Sequence, residues 1–215
     1  MQGKTLANRY KLLEEITQDS LTALYKTQDL TENKPVFIQL LKEKTKERPL
    51  ETILRFKRQI DQLSKLDHSN LLKAYSRGEF EGQDYVVYES FDSKPLSTYL
   101  GQPLPIDTAV EIILQIASAL DVVHQSGILH QALQPQSILI SQDLKSLKLA
   151  NFGYSLLNDI SRITETAEII STFGYLSPES SGILRKPIDI RSDIYSLGIL
   201  FYQLVTGRLP YNAID

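Results

Sequence analysis

Cysteine is absent from the 215 residues, which excludes disulfides and thiolate-bound metal sites. No apolar run reaches the roughly 18 residues of a spanning helix, and Met1 is not followed by an apolar leader region. The expected compartment is therefore the cytoplasm, without membrane insertion. A surplus of positive charge is missing too: 23 Lys and Arg stand against 26 Asp and Glu, a formal net charge of -3. That balance offers no basic footprint, so nucleic acid is not an expected partner. What is present is 42% hydrophobic and 23% charged residues, enough for one sizeable core or two small lobes.

Residues 9 to 41 alternate as strands do, through Tyr10-Lys11-Leu12, Thr22-Ala23-Leu24-Tyr25-Lys26 and Val36-Phe37-Ile38-Gln39-Leu40. Turn-prone residues at 18–20 and 31–34 separate them, which predicts an antiparallel start. Ile53, Phe56, Ile60, Leu63 and Leu66 then recur at helical spacing, predicting an amphipathic helix over 50–66. Two further strands are expected at 71–75 and 85–89, joined by a turn over 77–83. From Pro105 onward the pattern becomes helical. Asp107 reads as an N-cap, and Val110, Ile113, Leu114, Ile116, Ala117, Leu120 and Val123 fill a helix that ends near Gly127. A small strand lobe followed by a helical lobe makes an α+β chain with a cleft between lobes. The helix expected over 192–206 is apolar nearly all round, the pattern of a helix buried on every side. The chain stops soon after it, so the expectation is a fragment of a longer polypeptide, or a partner that supplies the cover.

His130-Gln131-Ala132-Leu133-Gln134-Pro135-Gln136-Ser137-Ile138-Leu139 and Asn151-Phe152-Gly153 stand in the order and spacing of the H-R-D-L-K-P-x-N and D-F-G motifs. Leu176-Ser177-Pro178-Glu179 matches the A-P-E motif, and 191–198 and 66–70 match two further segments. On these motifs, over almost the whole length, the chain resembles bacterial serine/threonine protein kinases of the eukaryotic type. The resemblance implies an antiparallel five-stranded small lobe with one helix (9–88), a hinge at 89–91 and a partial, mainly helical large lobe (92–215).

The spacing survives, but the ionised groups do not. By the resemblance, Ala132 occupies the place of the catalytic base, Gln134 that of the loop Lys, and Ser137 and Asn151 those of the metal ligands. In the small lobe Gln39 replaces the phosphate-binding Lys of V-A-I-K, and Gln59 replaces its Glu partner. An amide pair between Gln39 and Gln59 is therefore expected. Thr17, Asp19 and Thr22 replace the three glycines of G-x-G-x-x-G, and the Asp19 carboxylate would repel phosphate. Phe37 stands where the family has Ala above adenine. It shares a strand face with Gln39 and is expected to fill the adenine site, with Leu24 above and Leu139 below. Tyr88, Glu89 and Phe91 complete this vestigial nucleotide cleft.

Other features read more plainly. His68, His124 and His130 match structural positions of the family, so no metal site is expected. Residues 161–172 form a hydroxyl-rich loop whose phosphate-capturing Arg is replaced by Gln131, and residues 42–48 are a charged connection. Leu63, Ala74, His130, Phe152 and Asp193 match the family's internal spine, read here as core. Glu179 lacks the late-helix Arg that pairs with it in the family, so it is expected to be exposed or otherwise paired.

The reading is a catalytically inactive, pseudokinase-like module, regulatory or scaffolding within a larger signalling protein. Its expected partners are a protein or adjacent domains, and no cofactor is expected. The alternatives are a serine/threonine kinase using ATP and Mg²⁺, with Asp143 or Asp159 as the spare carboxylates, and a nucleotide sensor without catalysis.

Overall fold

A computed structural model describes residues 3–18, 22–42, 49–152, 173–181, 183–184 and 186–211. Asp19, residues 43–48, Gly153, Asp159 and the 161–172 stretch lie outside them. The chain divides into two compact units, Met1–Asp67 with Leu72–Asp92 and His68–Leu71 with Ser93–Asp215.

The first unit is a sheet of β1 (Thr5–Leu6), β2 (Tyr10–Gln18), β3 (Thr22–Asp29), β4 (Lys34–Leu41), β5 (Ala74–Phe80) and β6 (Gln83–Glu89), in spatial order β1-β2-β3-β4-β6-β5. All pairings are antiparallel. The short β1 joins the five expected strands. Directly paired residues share a face, so the register separates two sets of side chains. Tyr25, Ile38 and Val87 form one row, within the core cluster that also holds Leu6, Tyr10, Leu12, Ala23, Val36 and Leu40. Leu24, Gln39 and Val86 form a row on the opposite face, with Phe37 and Tyr88 paired beside it.

The fourth and fifth strands differ from expectation: the strand begins at Ala74 and the turn shrinks to Glu81-Gly82. Both of these residues have positive φ, 52° and 74°, the geometry of a two-residue turn that matches strand twist. That lets the strands extend through Arg77 and Glu79, which read as loop by composition. Asp29 organises the β3–β4 turn by accepting from the Thr31 and Glu32 amides at 3.0 and 3.2 Å. Arg9 binds it bidentately at 2.7–3.1 Å and holds its carboxyl down at about 2. Helix α1 (Leu50–Leu63) ends three residues earlier than the apolar spacing predicts, at the Ser64 cap.

The second unit contains β7 (Lys94–Pro95), α2 (Ile106–Gln125), β8 (Ile138–Ile140), β9 (Leu147–Leu149) and α3 (Ile190–Thr206). The three short strands pair in order, and α2 packs against α3 and β9. Asp107 is not the N-cap of α2; Pro105 is, and Asp107 sits in the first turn, where a carboxylate complements the helix dipole. The N-cap of α3 is Asp189, whose side chain accepts from the Arg191 amide at 2.9 Å. Gly207 closes α3 with φ 74°, and a Cβ there would lie 3.0 Å from Pro103, so only glycine suits this end. Nor is α3 buried on every side: Ile194 and Tyr202 are exposed, while Leu197, Leu200 and Leu204 face inward. Among the described residues no helix is long and apolar enough to cross a membrane.

Candidate functional site

The loop from His130 to Leu139 is held from below by one carboxylate. Asp193, buried on α3, accepts from the His130 amide at 2.9 Å, the Gln131 amide at 2.7 Å and His124 Nε2 at 2.8 Å. Gln131 takes φ 59°, an uncommon state for a non-glycine residue, which the Asp193 contact stabilises. The His130 ring lies 4.5 Å from Phe152. Its Nε2 bonds the Ala150 carbonyl at 3.0 Å, which can only accept, so Nε2 carries the proton and Nδ1 receives the Ala132 amide at 3.3 Å. His130 thus has no capacity left for a substrate.

Burial lowers the His130 pKa, opposed by the nearby Asp193 charge. A histidine held neutral when folded, but free to protonate when unfolded near pH 6.5, stabilises the fold above that pH and opposes it below. Stability should therefore fall on acidification from pH 7 to 5, by at most about 1.4 kcal/mol per unit. An NMR titration of the imidazole checks this: the His130 midpoint should lie below that of a free imidazole, and a normal midpoint would refute it.

Further along, Ser137 is fully buried and turned into its own loop. Its hydroxyl donates to the Gln134 carbonyl at 2.8 Å and accepts the Gln134 amide at 3.2 Å, capping the short 3₁₀ turn Pro135–Ser137. Gln136 presents a buried side-chain oxygen without a hydrogen-bond partner. Asn151 adopts φ 61°, a conformation that Asn tolerates. Ala132 is half-buried and offers a methyl group. No residue from His130 to Leu139 is a carboxylate, and Asp193, which bonds the loop, is engaged by three donors. Asp143 is exposed on the β8–β9 turn and held by Ser141 and the Lys145 amide at 2.6 and 3.1 Å. The Ser141 hydrogen bond in particular lowers its pKa, which weakens it as a base.

In the first unit, Gln39 and Tyr88 are 2% and 5% exposed, and the tyrosine hydroxyl donates to Gln39 Oε1 at 3.0 Å. This bond of Gln39 comes in addition to the amide pair expected with Gln59, which is half-buried on α1. Tyr88 pairs directly with Phe37 on the neighbouring strand, which brings its ring beside the β4 row. The alternation puts Phe37 and Gln39 on one face, but Tyr88 joins them only through the register of the neighbouring strand. Burial raises the Tyr88 pKa strongly, so the hydroxyl stays a donor. Phe37 and Leu24 are both buried on this face, and Leu139 is buried on β8 in the other unit.

Thr17 and Thr22 belong to β2 and β3, where β-branched residues are at ease. Glu89 Oε1 accepts the Lys73 amide at 2.9 Å, tying β6 to the segment before β5, and Phe91 is half-buried. Glu179 has found a substitute partner: the Ser192 hydroxyl donates to it at 2.6 Å, and this bond lowers its pKa. His68 is bonded to Ser118 at 3.1 Å. Among the described residues no group of His, Asp and Glu could hold a metal ion.

The family model described as Protein kinase domain matches residues 10–215. A probable serine/threonine-protein kinase PknB of Lactococcus lactis is 33% identical over 98% of this chain and 34% of its own length. The serine/threonine-protein kinase PrkC of Bacillus subtilis is 33% identical over 98% of this chain and 32% of its own. The chain thus spans about a third of these relatives. A crystal structure of the Mycobacterium tuberculosis PknI kinase domain superposes with TM-score 0.76 at 23% identity, covering 99% of this chain and 79% of that one. With the loop, its supporting aspartate and the sheet in place, this chain belongs to the protein kinase domain family.

Proposed function

We propose that this domain keeps the kinase fold without phosphoryl transfer and acts as a regulatory or scaffolding module towards a protein partner or adjoining domains. The observation that carries the reading is Ala132, at the position where the family's motif places the base that receives the substrate proton. General base catalysis contributes about 10²–10⁴-fold, and a methyl group contributes none of it. The surrounding residues support the same reading. Magnesium is ordinarily held on the protein by one or two carboxylates, whereas Ser137 bonds within its own loop and Asn151 is a neutral amide, so this set fits the ion poorly. Gln39 carries no charge for phosphate, and its oxygen is engaged by Tyr88.

The names of the relatives favour the alternative, a serine/threonine kinase that transfers phosphate from ATP to protein. That alternative needs a base outside the loop. Incubation with γ-labelled ATP, magnesium or manganese and a basic protein substrate separates the two readings. The expected result is no label on the chain or the substrate, and no melting shift with ATP. Label lost on Asp143→Asn would establish the kinase. A bound nucleotide at a hundred times its dissociation constant stabilises by about 2.7 kcal/mol, so a shift without label would make the domain a nucleotide sensor.

A further inference from the structure

The outward face of α3 is apolar, with a glycine at its middle. Ile190, Ile194, Gly198 and Tyr202 follow one another at four-residue steps, so they line one stripe of the helix. The three side chains are 49%, 52% and 38% exposed, and Gly198 is exposed between them. Tyr195 and Val205 flank the stripe, half-buried, and no charged residue stands between Ile194 and Thr206. A continuous exposed apolar face of this kind marks an association surface.

Within the chain nothing requires glycine at 198. A Cβ built there meets no atom within 4 Å. Glycine inside a helix weakens it relative to alanine, because it gives up more backbone freedom on folding and adds no packing. What it offers in return is a notch through which another backbone can come close, here from outside the chain.

The position of the notch selects the occupant. Helix α3 runs Ile190–Thr206, so Gly198 is its central residue. Two copies of α3 packed antiparallel about a two-fold axis at Gly198 match residue for residue: Gly198 meets Gly198 of the second copy, Ile194 meets Tyr202, and Ile190 meets Thr206. Notch against notch lets the axes approach to about 8 Å. The ends are complementary in sign. Arg208 is exposed just past the C-terminal end and makes no ion pair among the described residues. The antiparallel arrangement brings it to the end that carries Asp189, whose side chain is 41% exposed beside Arg191. It also opposes the two helix dipoles, whereas a parallel pair would set Arg208 against Arg208 and like dipole ends together.

We infer that α3 is a homodimer interface, on which a second copy of this chain lays its own α3 antiparallel across Ile194, Gly198 and Tyr202, with the two glycines at the two-fold axis. The pairing does not depend on whether the domain transfers phosphate.

Because the chain has no cysteine, single introduced cysteines report the geometry directly. A disulfide needs Cα atoms about 4.4–6.8 Å apart, a separation that two helices at about 8 Å provide between identical residues only at the axis. Gly198→Cys should therefore oxidise to a covalent dimer at least about tenfold faster than Ile194→Cys or Tyr202→Cys alone, while a mixture of those two should cross-link to each other. Sedimentation of the unmodified chain between about 1 and 100 μM should show the mass rise from one chain to two. Ile194→Glu and Gly198→Leu, both at exposed positions, should hold it at one chain throughout. A single-chain mass for the unmodified protein over the whole range would overturn the interface, whatever else covers α3. Equal cross-linking at 194 and 198, or a dimer that survives both substitutions, would do the same. Should a variant fail to fold, the mass of the unmodified chain and the cysteine series decide the matter.

Discussion

Asp193→Ala should cost the second unit about 3–5 kcal/mol, a large share of the roughly 5–15 kcal/mol that ordinarily holds a domain folded. The substitution strips the acceptor from the buried His130 amide, the part-buried Gln131 amide and His124 at once. An unsatisfied buried donor costs about 1–3 kcal/mol, and water has little access to this position. Gln131 would also lose the contact that stabilises its φ of 59°. Asp193→Asn keeps one oxygen but turns an amide nitrogen towards a donor, so roughly half the loss is expected. Because the chain has no tryptophan, exchange of the α2, β8 and β9 amides is a better readout than fluorescence. A loss under about 1 kcal/mol would mean that the loop is held by something else.

Phe37→Ala carries the second large effect, about 3–5 kcal/mol lost from the first unit through transfer and cavity terms. Phe37 is 1% exposed and pairs directly with Tyr88, so little can move in to refill the space. The variant also tests what the ring excludes. If Phe37 occupies the place of adenine, as the family's Ala at this position implies, millimolar adenosine should restore part of the lost stability in the variant and do nothing for the parent chain. A variant that loses stability but ignores adenosine would leave Phe37 as a core residue alone.

Much of the fold was legible because periodicity survives without coordinates. The alternation through Val36-Phe37-Ile38-Gln39-Leu40 and the helical spacing from Phe56 to Leu63 depend only on backbone geometry. Boundaries were less legible. The β5–β6 turn closed on Glu81-Gly82 because positive φ at both residues allowed a tighter hairpin than composition suggested. Asp107 was read as a cap because Asp is a good N-cap, but Pro105 takes that position ahead of it. At the site, the loss of charged groups could be read letter by letter, whereas the Tyr88–Gln39 and Ser192–Glu179 bonds could not.

The order of residues was enough to specify the family outline and the chemistry that the motif positions can offer, because a side chain's functional groups do not depend on its surroundings. Ala132 has no lone pair in any conformation. Which groups meet was a matter for the folded chain: Tyr88 and Gln39 are 49 residues apart, His130 and Asp193 63, and Glu179 and Ser192 13. Such partners are selected by strand register and helix packing, which join distant segments, and by the cost of leaving a buried polar group unpaired.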